Sequence, residues 1–321
     1  MVNVDFNRIL LESDLMFNRA CRFVCLFASL LLLSPAAEAQ DAQEEMKAKP
    51  EAQAKQEMQE QELEEGFTSL FDGKTLEGWT SAHSKGADDW GPYSVNEQEK
   101  AIHVYAGREA NSKQTTDCLN TNKQYSHYIL KLEYKWLEKR FAPRADFDRD
   151  AGLLFHVHGD LTKVWPLSLE MQIGESPGDK PHGKGSKGRY HTGDLFVLGR
   201  ELRTDTPIKD KLYDKDGEPK TGRSVKTSLG VEKPKGEWNE MEIRVHGSEK
   251  ATFILNGDVV LETFNFTQKK KKKGEKTPLD RGHIGLQAEW AELMYRNIRI
   301  KELTTQESTT EAATTKKSAE E

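Results

Sequence analysis

Thr252-Phe253-Ile254-Leu255-Asn256-Gly257-Asp258-Val259-Val260-Leu261-Glu262 decides the fold class, because two apolar runs meet at an Asn-Gly pair. A two-residue connection between twisted strands needs positive φ at both central positions, and Asn-Gly is among the few natural pairs that tolerate it. A tight β-hairpin is therefore expected here. Just upstream, Met241, Ile243 and Val245 alternate with Glu242 and Arg244, the period-2 pattern of a strand with one buried face. Between His127 and Trp136 the same alternation places Tyr128, Leu130, Leu132, Tyr134 and Trp136 on one side. Tyr295 to Leu303 reads as a closing strand whose apolar residues, Tyr295, Ile298 and Ile300, slip out of strict alternation. No segment sustains the 3.6-residue period of an amphipathic helix. Gly, Pro, Asn and Asp separate the short runs, and the sum predicts an all-β domain over residues 66–303, a jelly-roll β-sandwich of two antiparallel sheets.

Outside that domain the composition changes. Arg19 and Arg22 precede an apolar run from Phe23 to Leu33, followed by Ser34-Pro35-Ala36-Ala37-Glu38-Ala39, small residues at the spacing signal peptidase needs. Residues 1–39 are expected to be a cleavable signal peptide, with Met16 as an alternative start, and the mature protein to be secreted or periplasmic. The run is too short for a retained membrane span, which takes about 20 apolar residues. Residues 40–65 form an acidic Gln/Glu/Ala-rich spacer with a net charge of −6, and residues 304–321 a Thr/Glu/Ala/Lys-rich tail expected to be disordered. Once Cys21 and Cys25 leave with the signal, Cys118 is alone, so no intrachain disulfide can form and a large core must hold the domain.

Residues 66–303 net +3, mostly from the run Lys269 to Lys273. A nucleic-acid binder should carry a basic face built across the fold, and one loop-like run does not make one. Residues 178–185, Gly-Asp-Lys-Pro-His-Gly-Lys-Gly, resemble a phosphate loop but lack its Ser or Thr and any following apolar helix. No nucleophile elbow is present. Two long stretches, Gly174 to Gly193 and Thr204 to Lys235, read as irregular loops that could wall a cleft.

The polar side of the alternation is where chemistry is expected. In Ala151 to His158, Leu153, Phe155 and Val157 take one face, and Leu154, His156 and His158 the other. In Leu167 to Ile173 the outward residues are Ser168, Glu170 and Gln172, and in the strand after His283 they are Gly285, Gln287 and Glu289. Such Ser, Gln, Glu and His residues suit a sugar's hydroxyls better than the Lys and Thr of an ordinary wet face. Trp165, beside the rigid Pro166, offers a ring for a sugar to stack on. The pair His156 and His158 could also begin a divalent-metal site with Glu170, His182 or His191, although spacing fixes no third ligand and no cofactor is assigned.

The order of several motifs resembles one family. Phe71-Asp72-Gly73-Lys74-Thr75-Leu76-Glu77-Gly78-Trp79 opens the domain, and Ala151-Gly152-Leu153-Leu154-Phe155 and Val164-Trp165-Pro166-Leu167-Ser168-Leu169-Glu170-Met171-Gln172 follow. Then come Gly193-Asp194-Leu195-Phe196, Gly236-Glu237-Trp238-Asn239 and Gly282-His283-Ile284-Gly285-Leu286-Gln287, with Arg296-Asn297-Ile298 near the end. The chain resembles the 3-keto-disaccharide hydrolase (DUF1080) family over about residues 66–303. That resemblance implies a concanavalin-like jelly roll acting on glycosides whose C3 hydroxyl has become a ketone. Alternation together with these motif matches points to Glu170 as the base, His156 or His158 as acid or enolate stabiliser, and Gln172, Gln287 and Glu289 as sugar-orienting groups. Trp290 stands where the family pattern has a glycine. A non-catalytic carbohydrate-binding module, or an envelope interaction protein on the same fold, is the competing expectation.

Overall fold

The computed structural model describes residues 66–83, 89–175, 191–199, 202–209, 212–213, 219–221, 224–225, 231–269 and 275–304. The expected signal peptide, spacer and all but the first residue of the tail lie outside them, as do His182, residues 178–185 and Lys270 to Lys273. Every element described is a strand. In chain order they are β1 (Thr68–Ser69), β2 (Trp79–Ser81), β3 (Tyr93–Asn96), β4 (Ala101–Val104), β5 (Asp117–Thr121) and β6 (His127–Arg140). There follow β7 (Asp150–His158), β8 (Leu167–Gly174), β9 (Leu195–Leu198), β10 (Leu202–Lys209), β11 (Leu212–Tyr213), β12 (Pro219–Thr221) and β13 (Ser224–Val225). The last six are β14 (Asn239–His246), β15 (Lys250–Leu255), β16 (Asp258–Lys269), β17 (Lys276–Pro278), β18 (His283–Ala288) and β19 (Ala291–Glu302).

They build two antiparallel sheets. The larger has twelve strands with the path β11-β10-β16-β15-β14-β6-β19-β4-β3, and the smaller has seven in the order β13-β9-β8-β7-β18-β5-β2. The predicted hairpin joins β15 to β16, with Asn256 at φ 52° and Gly257 at φ 92°, the left-handed pair a two-residue turn requires. β14 lies between β15 and β6 with Met241 opposite Leu132 and Ile243 opposite Leu130, so the alternations read from sequence meet on one face. The slip in the closing strand is a bulge: Asn297 takes φ 51°, and the β19–β6 register shifts between Arg296 and Arg299. That extra residue lets Tyr295, Ile298 and Ile300 all reach the core.

The core lies between the sheets. Tyr128, Leu130, Leu132, Tyr134, Trp136, Met241, Ile243 and Val245 enter it from one side, and Leu153, Phe155, Leu169, Met171, Ile173, Ile284, Leu286 and Ala288 from the other. Phe155 packs edge-on against Phe253 and Phe266, both at 5.8 Å between centroids, which locks β7 to the opposite sheet. Buried tyrosines add directed links: the Tyr93 hydroxyl donates to Leu286 O at 2.7 Å and the Tyr295 hydroxyl to Gln287 O at 2.9 Å. Each fully buried side chain of this size contributes roughly 1.5–3 kcal/mol, so a core of this extent needs no disulfide; Cys118 is a buried free thiol. This is the all-β jelly-roll sandwich expected.

One expectation is corrected. Thr204 to Lys235 is not an irregular loop throughout, since β10 runs through its first residues and pairs with β16, β11 and β12. Pro207 and the scattered Lys and Asp residues break the apolar alternation and so hide the strand in the sequence. Among the described residues no helix is long and apolar enough to cross a membrane.

Candidate functional site

The seven-stranded sheet turns its second face outward, and the middle of that face is a cleft of about 430 Å³. Arg144, Asp150, Trp165, Leu167, Glu170, Gln172, Phe196, Leu198, Gly199 and Glu289 line it. Cross-strand partners in an antiparallel pair share a face, and the register explains the gathering. β8 sets Glu170 opposite Leu154 of β7 and Phe196 of β9, and sets Gln172 opposite Gly152. A bridge between Asp150 and Glu289 brings the end of β18 to the start of β7.

Gly152 is the space in which two side chains meet. A Cβ there would lie 2.1 Å from Glu170 Oε1 and 2.6 Å from Gln287 Oε1, far inside contact distance. Without it, the Glu170 carboxyl and the Gln287 amide lie over the backbone of β7. Gln287 is 1% exposed, and among the described residues neither polar atom of its amide has a hydrogen-bond partner. Such a group carries a desolvation cost, and here it stands beside a carboxyl.

The other two acids share one cation. Arg144 Nη1 lies 3.1 Å from Asp150 Oδ2 and 3.9 Å from Glu289 Oε2. The Gln172 amide donates to Asp150 Oδ1 and, at 2.6 Å, to Ala151 O. The Trp165 indole N–H donates to Glu289 Oε1 at 2.5 Å while the ring stays 47% exposed. The Arg144 guanidinium lies over the Trp290 ring, 4.7 Å from its centroid, and Trp290 and Trp165 are 6.4 Å apart. Trp290 holds φ 57°, the left-handed backbone that favours glycine. Its backbone N–H donates to the Tyr105 hydroxyl at 3.2 Å and its indole N–H to Gln114 O at 2.8 Å, so tertiary contacts hold the conformation.

Burial pushes the Glu170 carboxyl well above the usual carboxylate range, and the neighbouring Glu289 and Asp150 push it further. Glu170 makes no ion pair among the described residues. Burial and Glu289 also hold Asp150 well above its ordinary value, against the opposing pull of Arg144. Burial raises Glu289 too, opposed by Arg144, Trp165 and Asp150. Three carboxyls around one guanidinium cannot all ionise cheaply, so the cluster can both donate and accept a proton.

The sequence-predicted residues divide. Glu170, Gln172, Glu289 and Trp165 meet in the cleft, and Gln287 lies beneath it. His156 does not belong to it. At φ 51° it is the extra residue of a β-bulge, with the β7–β8 register shifting between Phe155 and His158. The bulge turns the ring into the core, 5.7 Å from the Phe266 ring, with Nε2 2.8 Å from Gly247 O, and burial lowers its pKa to about 4, so it is neutral near pH 7. It can serve there neither as the acid nor as a metal ligand beside His158. His158 is not among the cleft-lining residues either, its Nδ1 lying 2.8 Å from His156 O. The Ser168 hydroxyl is buried and donates to Pro166 O at 3.0 Å, so it is spent on its own turn. His191 lies 3.9 Å from Asp194, outside the cleft lining. Among the described residues no group of three or more His, Cys, Asp or Glu is arranged to hold a metal ion.

Two residues escaped the sequence reading. Asp150 follows from extending the outward alternation of β7 back from Leu154 through Gly152, a signal present but read only from Ala151 onward. Arg144 sits in the irregular connection between β6 and β7, where no periodicity marks it.

In fold the chain is similar to a candidate glycosyl hydrolase from Parabacteroides distasonis ATCC 8503, with 19% identity over 75% of this chain and 95% of that one at a TM-score of 0.45. It is also similar to the carbohydrate-binding module CBM66 from Bacillus subtilis, with 9% identity over 69% of this chain and 94% of that one at a TM-score of 0.37. No curated protein matches the chain. Residues 66–301 match the family model described as the 3-keto-alpha-glucoside-1,2-lyase-like domain, and the chain belongs to that family.

Proposed function

We propose that this domain cleaves glycosides bearing a ketone at C3, by taking the proton from C2 and expelling the substituent at C1. The observation that carries this reading is the set of three buried carboxyls in one open cleft, two of them in contact with Arg144. A C3 carbonyl acidifies the C2 proton. Glu170, the acid without a cation, removes it, and a raised pKa makes its carboxylate the stronger base. Arg144 faces the negative charge that develops on the C3 oxygen. The C2–H electron pair forms the C1=C2 bond as the C1–O bond breaks, and Asp150 gives its proton to the departing oxygen. Water then adds at C1 and passes its second proton to Asp150, the proton on Glu170 returns to C2, and a free 3-keto sugar leaves. The sum is hydrolysis, and no oxidant or reductant is consumed.

Trp165 offers its exposed ring to the sugar and fixes Glu289 through its indole N–H. Gln172 is a positioning residue, since its amide already holds Asp150. On this reading the leader-like residues 1–39 support a reaction outside the cytoplasm.

The test incubates the protein with a panel of 3-keto-glucosides and follows release of the aglycone. Turnover is expected, and Glu170→Gln should lower kcat/KM by about 10²–10⁴-fold while sugar affinity persists. Binding without release of any aglycone would contradict the reading and leave a carbohydrate-binding module.

A further inference from the structure

We infer that the half of the cleft beyond Glu170 is a subsite for a flat apolar aglycone and not for a second sugar. The inference rests on the cleavage reading above and names the substrate class it takes. It starts from the bulge at His156. Unbroken alternation would have carried two imidazoles along the outward face of β7. Instead His156 turns into the core and Val157 packs with Leu154, Cys118 and Ala82 in an apolar cluster on the outward side. The polar stripe therefore ends at Glu170.

β9 extends the apolar side. Phe196 is the cross-strand partner of Glu170, and Leu198 that of Ser168. Both are half-buried and line the cleft, and Leu198 packs onto the Leu154 and Val157 cluster. Every charged or amide group of the lining lies, among the described residues, on the other side, on β8, in the β6–β7 connection, at the start of β7 and just past β18. Among the described residues the β9 side offers Phe196, Leu198 and Gly199 and no polar side chain.

This division selects between aglycones. A second hexose would bring several hydroxyls against Phe196 and Leu198, and each hydroxyl buried without a partner costs roughly tenfold in affinity. An aromatic ring there loses nothing polar and gains contact with an aromatic and a branched side chain. The cleft, about 430 Å³, is in the lower part of the range for small-ligand pockets and suits one sugar with one further ring.

The experiment measures kcat/KM for methyl, benzyl and glucosyl 3-keto-α-glucosides with wild type, Phe196→Ser and Leu198→Ser. Benzyl alcohol is no better a leaving group than a sugar hydroxyl, so its preference would report binding. Wild type should favour benzyl over glucosyl at least tenfold, through KM, and each substitution should shrink the benzyl-to-methyl ratio about tenfold. Equal rates for benzyl and glucosyl, or an unchanged ratio in both variants, overturn the subsite and leave cleavage standing. Should no member of the panel be cleaved, the function fails separately, and calorimetric titration with benzyl and methyl glucoside reads the subsite alone. Tenfold tighter benzyl binding supports it, and equal binding overturns it.

Discussion

Both sheets present alternating polar residues outward, yet the two faces are chemically opposite. On the twelve-stranded sheet the charges are matched across strands. Glu242 stands opposite Lys131 and Arg296 opposite Glu133, with contacts of 3.7 and 2.7 Å. Trp238 lies between Lys135 and Arg296, 4.5 and 3.9 Å from its ring centroid. On the seven-stranded sheet, Asp150, Glu170 and Glu289 crowd a cleft with Arg144 as the cation that contacts two of them. The first face resolves its electrostatics, and the second stores an imbalance that a substrate can use. Catalysis is to be sought where like charges are gathered and buried, and not wherever a sheet is polar.

The sharpest contrast comes from removing one carboxyl. Glu170→Gln should lower kcat/KM by about 10²–10⁴-fold, whereas Glu242→Gln on the matched face should leave it within twofold of wild type. Steady-state kinetics on one 3-keto-glucoside checks both, and comparable losses would break the comparison.

A smaller but steep effect is expected from Gly152→Ala. Its Cβ would fall 2.1 Å from Glu170 Oε1 and displace the base. A misplacement of about 1 Å costs on the order of 10²-fold in rate. The circular dichroism spectrum should stay that of the wild type, which separates a displaced carboxyl from a lost fold.

Stability should move the other way. A carboxyl whose pKa is raised by folding holds its proton more tightly in the folded state. Its contribution is therefore fully present below the unfolded value, near 4, and is lost as pH rises through the folded one. Glu170 and Asp150 both lie on that side. Glu170→Gln should accordingly melt above wild type at neutral pH, with the gap closing as pH falls toward 4. Melting curves across that range check the sign, and a variant less stable at neutral pH would contradict it.

The smallest effect belongs to the matched face. Replacing Lys123 and Glu302, the latter at the end of β19, together by Ala should change stability by about 1 kcal/mol or less, since exposed ion pairs contribute little. Chemical denaturation measures it.

The same contrast governs how much was legible in the sequence. Period-2 alternation found the core faces of β6, β8, β14 and β18, because burial on one side repeats every second residue. The Asn256-Gly257 hairpin was legible from backbone chemistry. Alternation also placed Glu170, Gln172, Gln287 and Glu289 on one side of their strands. It failed at His156, where one inserted residue inverts every later side chain of β7. No local pattern announces such a bulge when the residue at positive φ is a histidine held by tertiary contacts. Arg144 was invisible for a related reason, since a connection carries no period. Strand order, which brings Asp150 to Glu289 across the sheet, is a long-range property that spacing along the chain does not encode.

The central claim is that this cluster takes the proton from C2. The most direct measurement follows cleavage of a 3-keto-glucoside deuterated at C2, in ordinary water, by rate and by the label left in the product. The account predicts slower cleavage than for the unlabelled substrate, with deuterium lost from C2 only as far as the Glu170 carboxyl exchanges with water before it reprotonates C2. Cleavage at full speed with the label retained would contradict it.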